Sequence, residues 1–567
     1  MTHAAHPPAT LVEILEDAAS RYGDRPALRL KLDDGSLTTW SYRELDRRSR
    51  LAAWRLRARG LRPGDRLLTW SPSTPALPAV YFGAMRAGLI LVPLDLRMAP
   101  EAARRIAERS EAVQLVIGTG RDAPDPADAD LDRLPVTTVD DLTSEPGAGF
   151  PVDWEDQVAA WPKPRPEDVY LLIYTSGTTG TPKGVILTHS NTAAGVAAFR
   201  QAIPHMEHRV VSVLPLSHLF EVLVGLSIAL SLGADILYVR SVNPRVMMQS
   251  MQQHRMTTMI VTPAVLDLLW KRIERGVEER GQLANLERIR RVARRLPMGL
   301  RRRLPVIAQI HQQFGGDLRL FLSSGAFLPP SLQRAWEDIG VLVLQGYGTT
   351  ETGSGVLNSF DDHPAGTVGR PVSGVEMRIA EDGEIQFRGP TVTQGYWEDP
   401  EATAAAFTED GWYRTGDLGR LDDEGRLVLH GRKRDMIVLP SGFNVFPEDI
   451  ENALRVAGLR ETVVLETEPG RIEAIVLANQ APAIPAGGRS RAIAGAIGES
   501  EDLTEVRRDI DARVRAANAT LAAHSRIAAW RFWPDEDFPR THTMKIKRNE
   551  VRAWAAVSAP LAVREAE

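Results

Sequence analysis

Apolar positions follow two rhythms along the chain. Stretches with a 3.6-residue period (11–22, 42–59, a run ending at Met85, and 99–110) are separated by short, nearly continuous apolar runs: ALRLKL at 27–32, RLLTWS at 66–71, LILVPL at 89–94 and AVQLVIG at 112–118. The first rhythm predicts amphipathic helices and the second predicts buried strands; their alternation predicts βαβ units around a parallel sheet. Residues 122–166, rich in Asp, Pro and Gly, read as loops and a connection. The alternation resumes with DVYLLIYT (168–175), RVVSVLPL (209–216), ADILYV (234–239), TTMIVTP (257–263), LRLFLSSG (318–325) and VLVLQGYG (341–348). The most apolar stretch, 222–234, predicts a buried core helix.

From Gly366 the texture changes to short strand-like pieces, GVEMRIA, GEIQFRG and GRLVLHG, separated by Asp-Gly and Glu-Gly turns, which predicts a smaller and mainly antiparallel sub-domain. Beyond Gly431 the pattern is mixed: a helix at 447–456, strands through Val476, an Ala/Pro/Gly/Ser-rich loop at 481–500, and helices near 501–521. Four successive charged residues at 432–435 do not suit a core and mark a boundary. The expected organisation is α/β, with a large N-terminal domain at 1–431, a connection at 432–435 and a small α+β C-terminal domain at 436–567.

Composition narrows the classes. A chain of 567 residues is too long for one core, and 43% hydrophobic with 25% charged residues is ordinary for a globular protein. The absence of cysteine excludes disulfides, Cys-ligated metals and a thiol nucleophile. A net charge of -5 argues against a general nucleic-acid binder. The opening MTHAAHPPAT lacks the basic and apolar regions of a signal peptide, and 222–234 is shorter than the ~20 residues a bilayer needs. A soluble, cytoplasmic protein is the expectation. Of 68 basic residues only seven are lysine: Lys31, Lys163, Lys183, Lys271, Lys433, Lys545 and Lys547. Residues 271–303 are dense in arginine, which suits a solvated helix face or contact with an anionic lipid or acidic partner.

The strongest chemical signal is TSGTTGTPKG at 175–184, after a predicted strand. Glycines let backbone N–H groups approach phosphate oxygens, and the hydroxyls and Lys183 add donors and charge. The spacing is not that of a Walker A loop, because Pro182 and Gly184 stand in the wrong places.

The string resembles the phosphate-binding signature of the adenylate-forming superfamily, which includes acyl-CoA synthetases, peptide-synthetase adenylation domains and luciferases. Four more segments resemble that family in the same order: QGYGTTE (345–351), YRTGDLG (413–419), GRKRD (431–435) with SGFNV (441–445), and PRTHTMKIKR (539–548). The resemblance implies a β-barrel-like sub-domain closing the large domain and a mobile small domain. It implies activation of a carboxylate by ATP to an acyl-adenylate, then transfer to a thiol.

By this resemblance Thr175, Ser176, Gly177, Thr178, Thr179, Gly180 and Lys183 hold the outer phosphates. Thr350 contacts the α-phosphate and Glu351 coordinates Mg²⁺. Tyr347 stacks on adenine opposite Gly325 and Ala326, flanked by Gly348 and Thr349. Asp417 accepts from the ribose hydroxyls with Arg432 nearby. Lys545 is the mobile catalytic lysine, Arg434 and Asp435 form the hinge, and Gly442 approaches pantetheine. Met544 stands where many relatives have Gly, a form similar to the long-chain acyl-CoA synthetases. LPLSHLFE at 214–221 resembles medium- and long-chain members, with His218 at the mouth of the acyl site and no Asp for a substrate ammonium between 214 and 232.

The implied substrates are a fatty acid, ATP and coenzyme A, with Mg²⁺. With no cysteine of its own, the chain needs an external thiol. Loading of an acyl carrier protein is the alternative; its usual mark, an insertion near the hinge, has no counterpart between 417 and 450. A non-catalytic nucleotide- or lipid-binding relative would carry a damaged motif, and none is damaged.

Overall fold

The computed structural model describes residues 8–32, 35–120, 122–176, 182–353, 355–440, 443–477, 501–540 and 546–557, without the side chains of 176 and 501–505. The expected phosphate-loop residues Gly177, Thr178, Thr179 and Gly180, the pantetheine residue Gly442, the catalytic Lys545 and the loop at 481–500 lie outside the described residues. The chain divides into two compact units: 1–378 with 386–415 and 422–427, and 379–385 with 416–421 and everything from 428 on.

Among the described residues two sheets lie wholly within the first unit. A nine-stranded sheet runs Arg370–Pro371, Val356–Leu357, Leu342–Tyr347, Leu320–Ser323, Thr258–Val261, Arg209–Ser212, Asp235–Tyr238, Pro26–Lys31 and Leu37–Ser41. Its middle is parallel, from Leu342–Tyr347 through Pro26–Lys31. A six-stranded sheet runs Val136–Thr138, Gln114–Ile117, Arg66–Trp70, Ile90–Leu94, Val169–Ser176 and Pro182–Thr188. Parallel strands covered on both faces need apolar side chains on both, which is why they read as unbroken apolar runs.

The helices start where capping predicts. Thr10 and Thr188 each accept from the backbone of the first turn in reciprocal capping boxes, opening Leu11–Tyr22 and His189–Ala202. The main core cluster gathers around Trp336, which meets Trp270, Phe314 and Phe321 edge to face at 4.8–5.9 Å.

Three expectations change. RVVSVLPL is a strand only over Arg209–Ser212 and then becomes a loop. Residues 122–166 are not loop throughout: they contain the strand Val136–Thr138 and the short helices Val139–Thr143 and Trp154–Ala159. The apolar core helix is present and buried, but it winds as a π-helix over Glu221–Ile228 before one α-turn, Ala229–Ser231. Glu221 lies over Gly225, where a Cβ would come within 2.1 Å of the Glu221 carboxylate. The Glu221 carboxylate therefore occupies the space that a side chain at 225 would take.

In the second unit, Thr462–Glu468, Arg471–Leu477 and Ala529–Trp533 form a three-stranded sheet, antiparallel then parallel. Helices Pro447–Val456 and Glu501–Asn518 supply Ile450, Leu454, Val506, Ile510 and Val514 to its core.

Candidate active site

The expected nucleotide residues of the first unit gather where parallel strands end. Leu320–Ser323 and Leu342–Tyr347 are adjacent and parallel, with Ser323 opposite Gln345. The loop bearing Gly325 and Ala326 and the loop bearing Tyr347, Gly348, Thr349, Thr350 and Glu351 therefore leave the same edge of the sheet side by side. This carboxyl edge is where open α/β sheets bind ligands. Gly325 and Ala326 are exposed, and Tyr347 and Thr350 are half-buried. The hydroxyl of Ser323 is buried without a partner among the described residues, which suits a polar ligand at this edge. Gly348 is required by space: a Cβ there would meet the Gly353 carbonyl oxygen at 2.4 Å.

Glu351 is only 9% exposed. Its Oε1 accepts from the Tyr396 hydroxyl at 3.0 Å, and its carbonyl accepts from Thr393 N–H at 2.7 Å. Lys183 Nζ stands 5.2 Å from the centre of the Tyr396 ring, a cation–π distance. Tyr396 thus touches both the lysine expected to serve the phosphate loop and the acidic residue expected to take a metal. Burial and the adjacent Glu351 carboxylate raise its phenol above the ordinary range. Tyr413 is raised in the same way, by burial and then by Glu351 and Tyr396. The Trp397 N–H donates to Gly184 O at 2.8 Å, and Ile186 N–H donates to Gly395 O at 3.1 Å, locking this segment to the hairpin that carries the phosphate loop. Thr175 pairs with Lys183 across that hairpin. The sequence reading missed Tyr396; the aromatic pair after Gly395 was the available signal.

For Mg²⁺ the donor set fits. The ion is commonly held by one or two carboxylates together with substrate phosphates, and Glu351 offers one carboxylate beside the hairpin of the phosphate loop.

His218 lies elsewhere on the same unit. Its Nε2 is 3.1 Å from Asp95 Oδ2, and Ser217 Oγ reaches the same oxygen at 3.3 Å. Burial works to raise the Asp95 carboxyl, but hydrogen bonds from His218 and the Arg97 N–H prevail and hold it well below the usual range. Asp95 was not singled out from sequence, although a lone acid directly after the buried run LILVPL was visible. A small void lies between the helix His189–Ala202 and the π-helix, lined by Leu187, Asn191, Thr192, Leu219, Leu223, Gly353 and Thr391.

Glu221 is fully buried, and one carboxylate oxygen accepts from Ser212 Oγ at 2.5 Å. Burial pushes its carboxyl up to about 8, against the Ser212 hydrogen bond, which lowers it. The folded chain therefore keeps this proton while the unfolded chain loses it above about 4.5. Stability drawn from this group falls as pH rises from about 4.5 to about 8. Glu221→Gln is neutral at every pH. It should gain stability relative to the parent, on the order of 1–4 kcal/mol, between about pH 5.5 and about pH 8.5. Denaturant unfolding at both values checks this; an unchanged difference would contradict a neutral Glu221.

In the second unit Arg432 Nε meets Asp417 Oδ1 at 2.9 Å, so the two expected ribose residues are brought together. Lys433 is committed to Asp382 at 2.6 Å and Glu384 at 3.4 Å. Lys433–Asp435 form one 3-10 turn containing the expected hinge residues Arg434 and Asp435, of which Arg434 is exposed. Glu448, close behind Gly431, is pushed up to about 7 by burial and by the neighbouring Glu451, Asp417 and Asp435, with Arg548 opposing.

The AMP-binding enzyme family matches residues 15–397, and the chain belongs to that family. It is 29% identical over 562 residues to the long-chain-fatty-acid–CoA ligase FadD15 of Mycobacterium bovis, covering 92% of each chain. It is 30% identical over 435 residues to a feruloyl-CoA synthase of Amycolatopsis, covering 74% of this chain and 78% of that one. Its fold is similar to that of ATP-bound MatB from Rhodopseudomonas palustris, with a TM-score of 0.74, 24% identity and coverage of 97% and 99%. The chain is an adenylate-forming acid–CoA ligase, and ATP, Mg²⁺ and coenzyme A are what such ligases use. Among the described residues no helix is long and apolar enough to cross a membrane.

Proposed function

We propose that this ligase activates a medium- or long-chain fatty acid to its acyl-adenylate and transfers the acyl group to coenzyme A, releasing pyrophosphate and then AMP. The observation that carries the acyl specificity is the surface beyond His218. LPLSHLFE leads into a wholly buried helix of aliphatic and small side chains whose one acid, Glu221, is held neutral. An ammonium-bearing acid would meet only the neutral Glu221 along this helix, and the buried Asp95 carboxylate is already engaged by His218 and Ser217, a costly arrangement for an unpaired ammonium.

In this reading residues 175–180 and Lys183 cradle the outer phosphates, and Thr350 meets the α-phosphate. Glu351 holds Mg²⁺, which when bound supplies positive charge to the triphosphate. Tyr347, with Gly325 and Ala326 opposite, receives adenine, and Asp417 and Arg432 receive ribose. Lys545 compensates charge on the carboxylate and α-phosphate during adenylation. The turn at 433–435 is the hinge, and Gly442 meets pantetheine in the second step. Cytoplasmic location follows from the same reading, since ATP and coenzyme A are supplied there.

A panel of C6–C18 acids with ATP, Mg²⁺ and coenzyme A tests the specificity. Acyl-CoA and AMP should form best with saturated chains and poorly with ferulate or short polar acids. A preference for the aromatic or polar acids would overturn the acyl assignment while leaving the ligase class intact.

A further inference from the structure

The arginines of 288–303 fall into two groups. This sixteen-residue segment carries eight arginines and no acidic residue. Half of them are absorbed by the fold. Arg290 and Arg294 both bind Asp338, a nearly buried carboxylate, at 2.8–3.1 Å. Arg301 donates to the carbonyls of Leu296 and Glu337 at 2.9 and 2.7 Å. Arg302 is half-buried, and its guanidinium is pushed down to about 10 by burial and by Arg319.

The other four, Arg288, Arg291, Arg295 and Arg303, are exposed, and none has an acidic partner among the described residues. Arg288 reaches only the amide of Asn285. The helix Leu283–Ala293 explains the division. Leu286 and Ala293 face the core, so 290 and 294 come beside Asp338. Positions 288, 291, 292 and 295, spaced i, i+3, i+4 and i+7, form the opposite, outward stripe. That stripe interleaves its cations with Val292, 53% exposed, and the next turn adds Leu300, 44% exposed.

We propose that the stripe Arg288–Arg291–Val292–Arg295, continued by Leu300 and Arg303, docks on an anionic phospholipid surface. Unneutralised guanidinium groups on one face match a layer of lipid phosphates, and the exposed aliphatic side chains between them reach the acyl boundary below. A purely solvated face would not need apolar side chains there, and an intramolecular role would show acidic partners, as it does for Arg290 and Arg294. The whole chain carries a charge of -5, so attraction to an anionic surface has to come from a local patch such as this one.

Co-sedimentation of the full chain with vesicles tests this surface and does not depend on which acid the enzyme activates. With vesicles of phosphatidylcholine containing about 30% phosphatidylglycerol the protein should bind at low salt. Binding should fall at least ~5-fold with phosphatidylcholine alone, and again at about 0.5 M salt. The triple variant Arg288→Glu, Arg291→Glu, Arg295→Glu should lose binding at least ~5-fold while keeping parent-like turnover of a water-soluble acid in the absence of lipid. The corresponding triple change to Gln, a milder loss of charge, should reduce binding in the same direction and serves if charge reversal lowers the melting temperature. No dependence on phosphatidylglycerol, or parent-like binding by the folded triple variants, overturns the proposal. Retention on an acidic polypeptide but not on anionic vesicles overturns it in favour of a protein partner.

Discussion

Lys545→Ala is expected to slow adenylation by roughly 10²-fold or more, while thioester formation from supplied acyl-adenylate stays nearly intact. The effect is one of charge. The reaction concentrates negative charge between the attacking carboxylate and the α-phosphorus, and a compact ammonium can approach both where a planar guanidinium fits less well. The cations around position 545 do not replace it, because each is engaged. Arg540 binds Glu461 and Asp537 at 2.9 and 2.7 Å, Lys547 binds Glu550 at 2.8 Å, and Arg548 binds Glu451 at 2.5 Å. The bridge between Arg540 and Ile546 joins the two flanks of the segment carrying Lys545. Acid-dependent pyrophosphate release measured apart from acyl-CoA formation checks the result. Equal losses in the two half-reactions would contradict a lysine that serves adenylation alone.

Glu351→Gln should lower pyrophosphate release by about 10²-fold at low Mg²⁺ and raise the Mg²⁺ concentration needed for half-maximal rate. Gln keeps the shape and an acceptor for the Tyr396 hydroxyl, so the link from Lys183 through Tyr396 is retained and only the charge is lost. A Mg²⁺ titration of the initial rate separates this from a folding defect. An unchanged Mg²⁺ requirement with lowered rate would mean that Glu351 organises the loop without holding the ion.

The parallel strands of the first unit other than Val136–Thr138 were legible because burial on both faces leaves an unbroken apolar signature. The loops at their carboxyl ends were legible because they are built from Gly, Thr and Ser. The edge strand Leu37–Ser41 was not, since it buries only Trp40 of its five residues. The π-winding of Glu221–Ile228 was hidden because a nearly unbroken apolar run reads the same whichever way the helix winds. Asp95 and Tyr396 were hidden for a related reason. Their roles come from partners 123 and 45 residues away, His218 and Glu351, and single-sequence periodicity carries no record of such pairs. The Arg-rich segment was visible as composition, but the division of its arginines between Asp338 and the outside required the fold.

Ligation is expected to run in two steps through an acyl-adenylate, which exchange of labelled pyrophosphate into ATP reports. With a fatty acid and Mg²⁺ but no coenzyme A, exchange should occur and should depend on the acid; adding coenzyme A should then yield AMP and acyl-CoA in equal amounts. Exchange that requires coenzyme A, or release of ADP and inorganic phosphate instead of AMP and pyrophosphate, would contradict it.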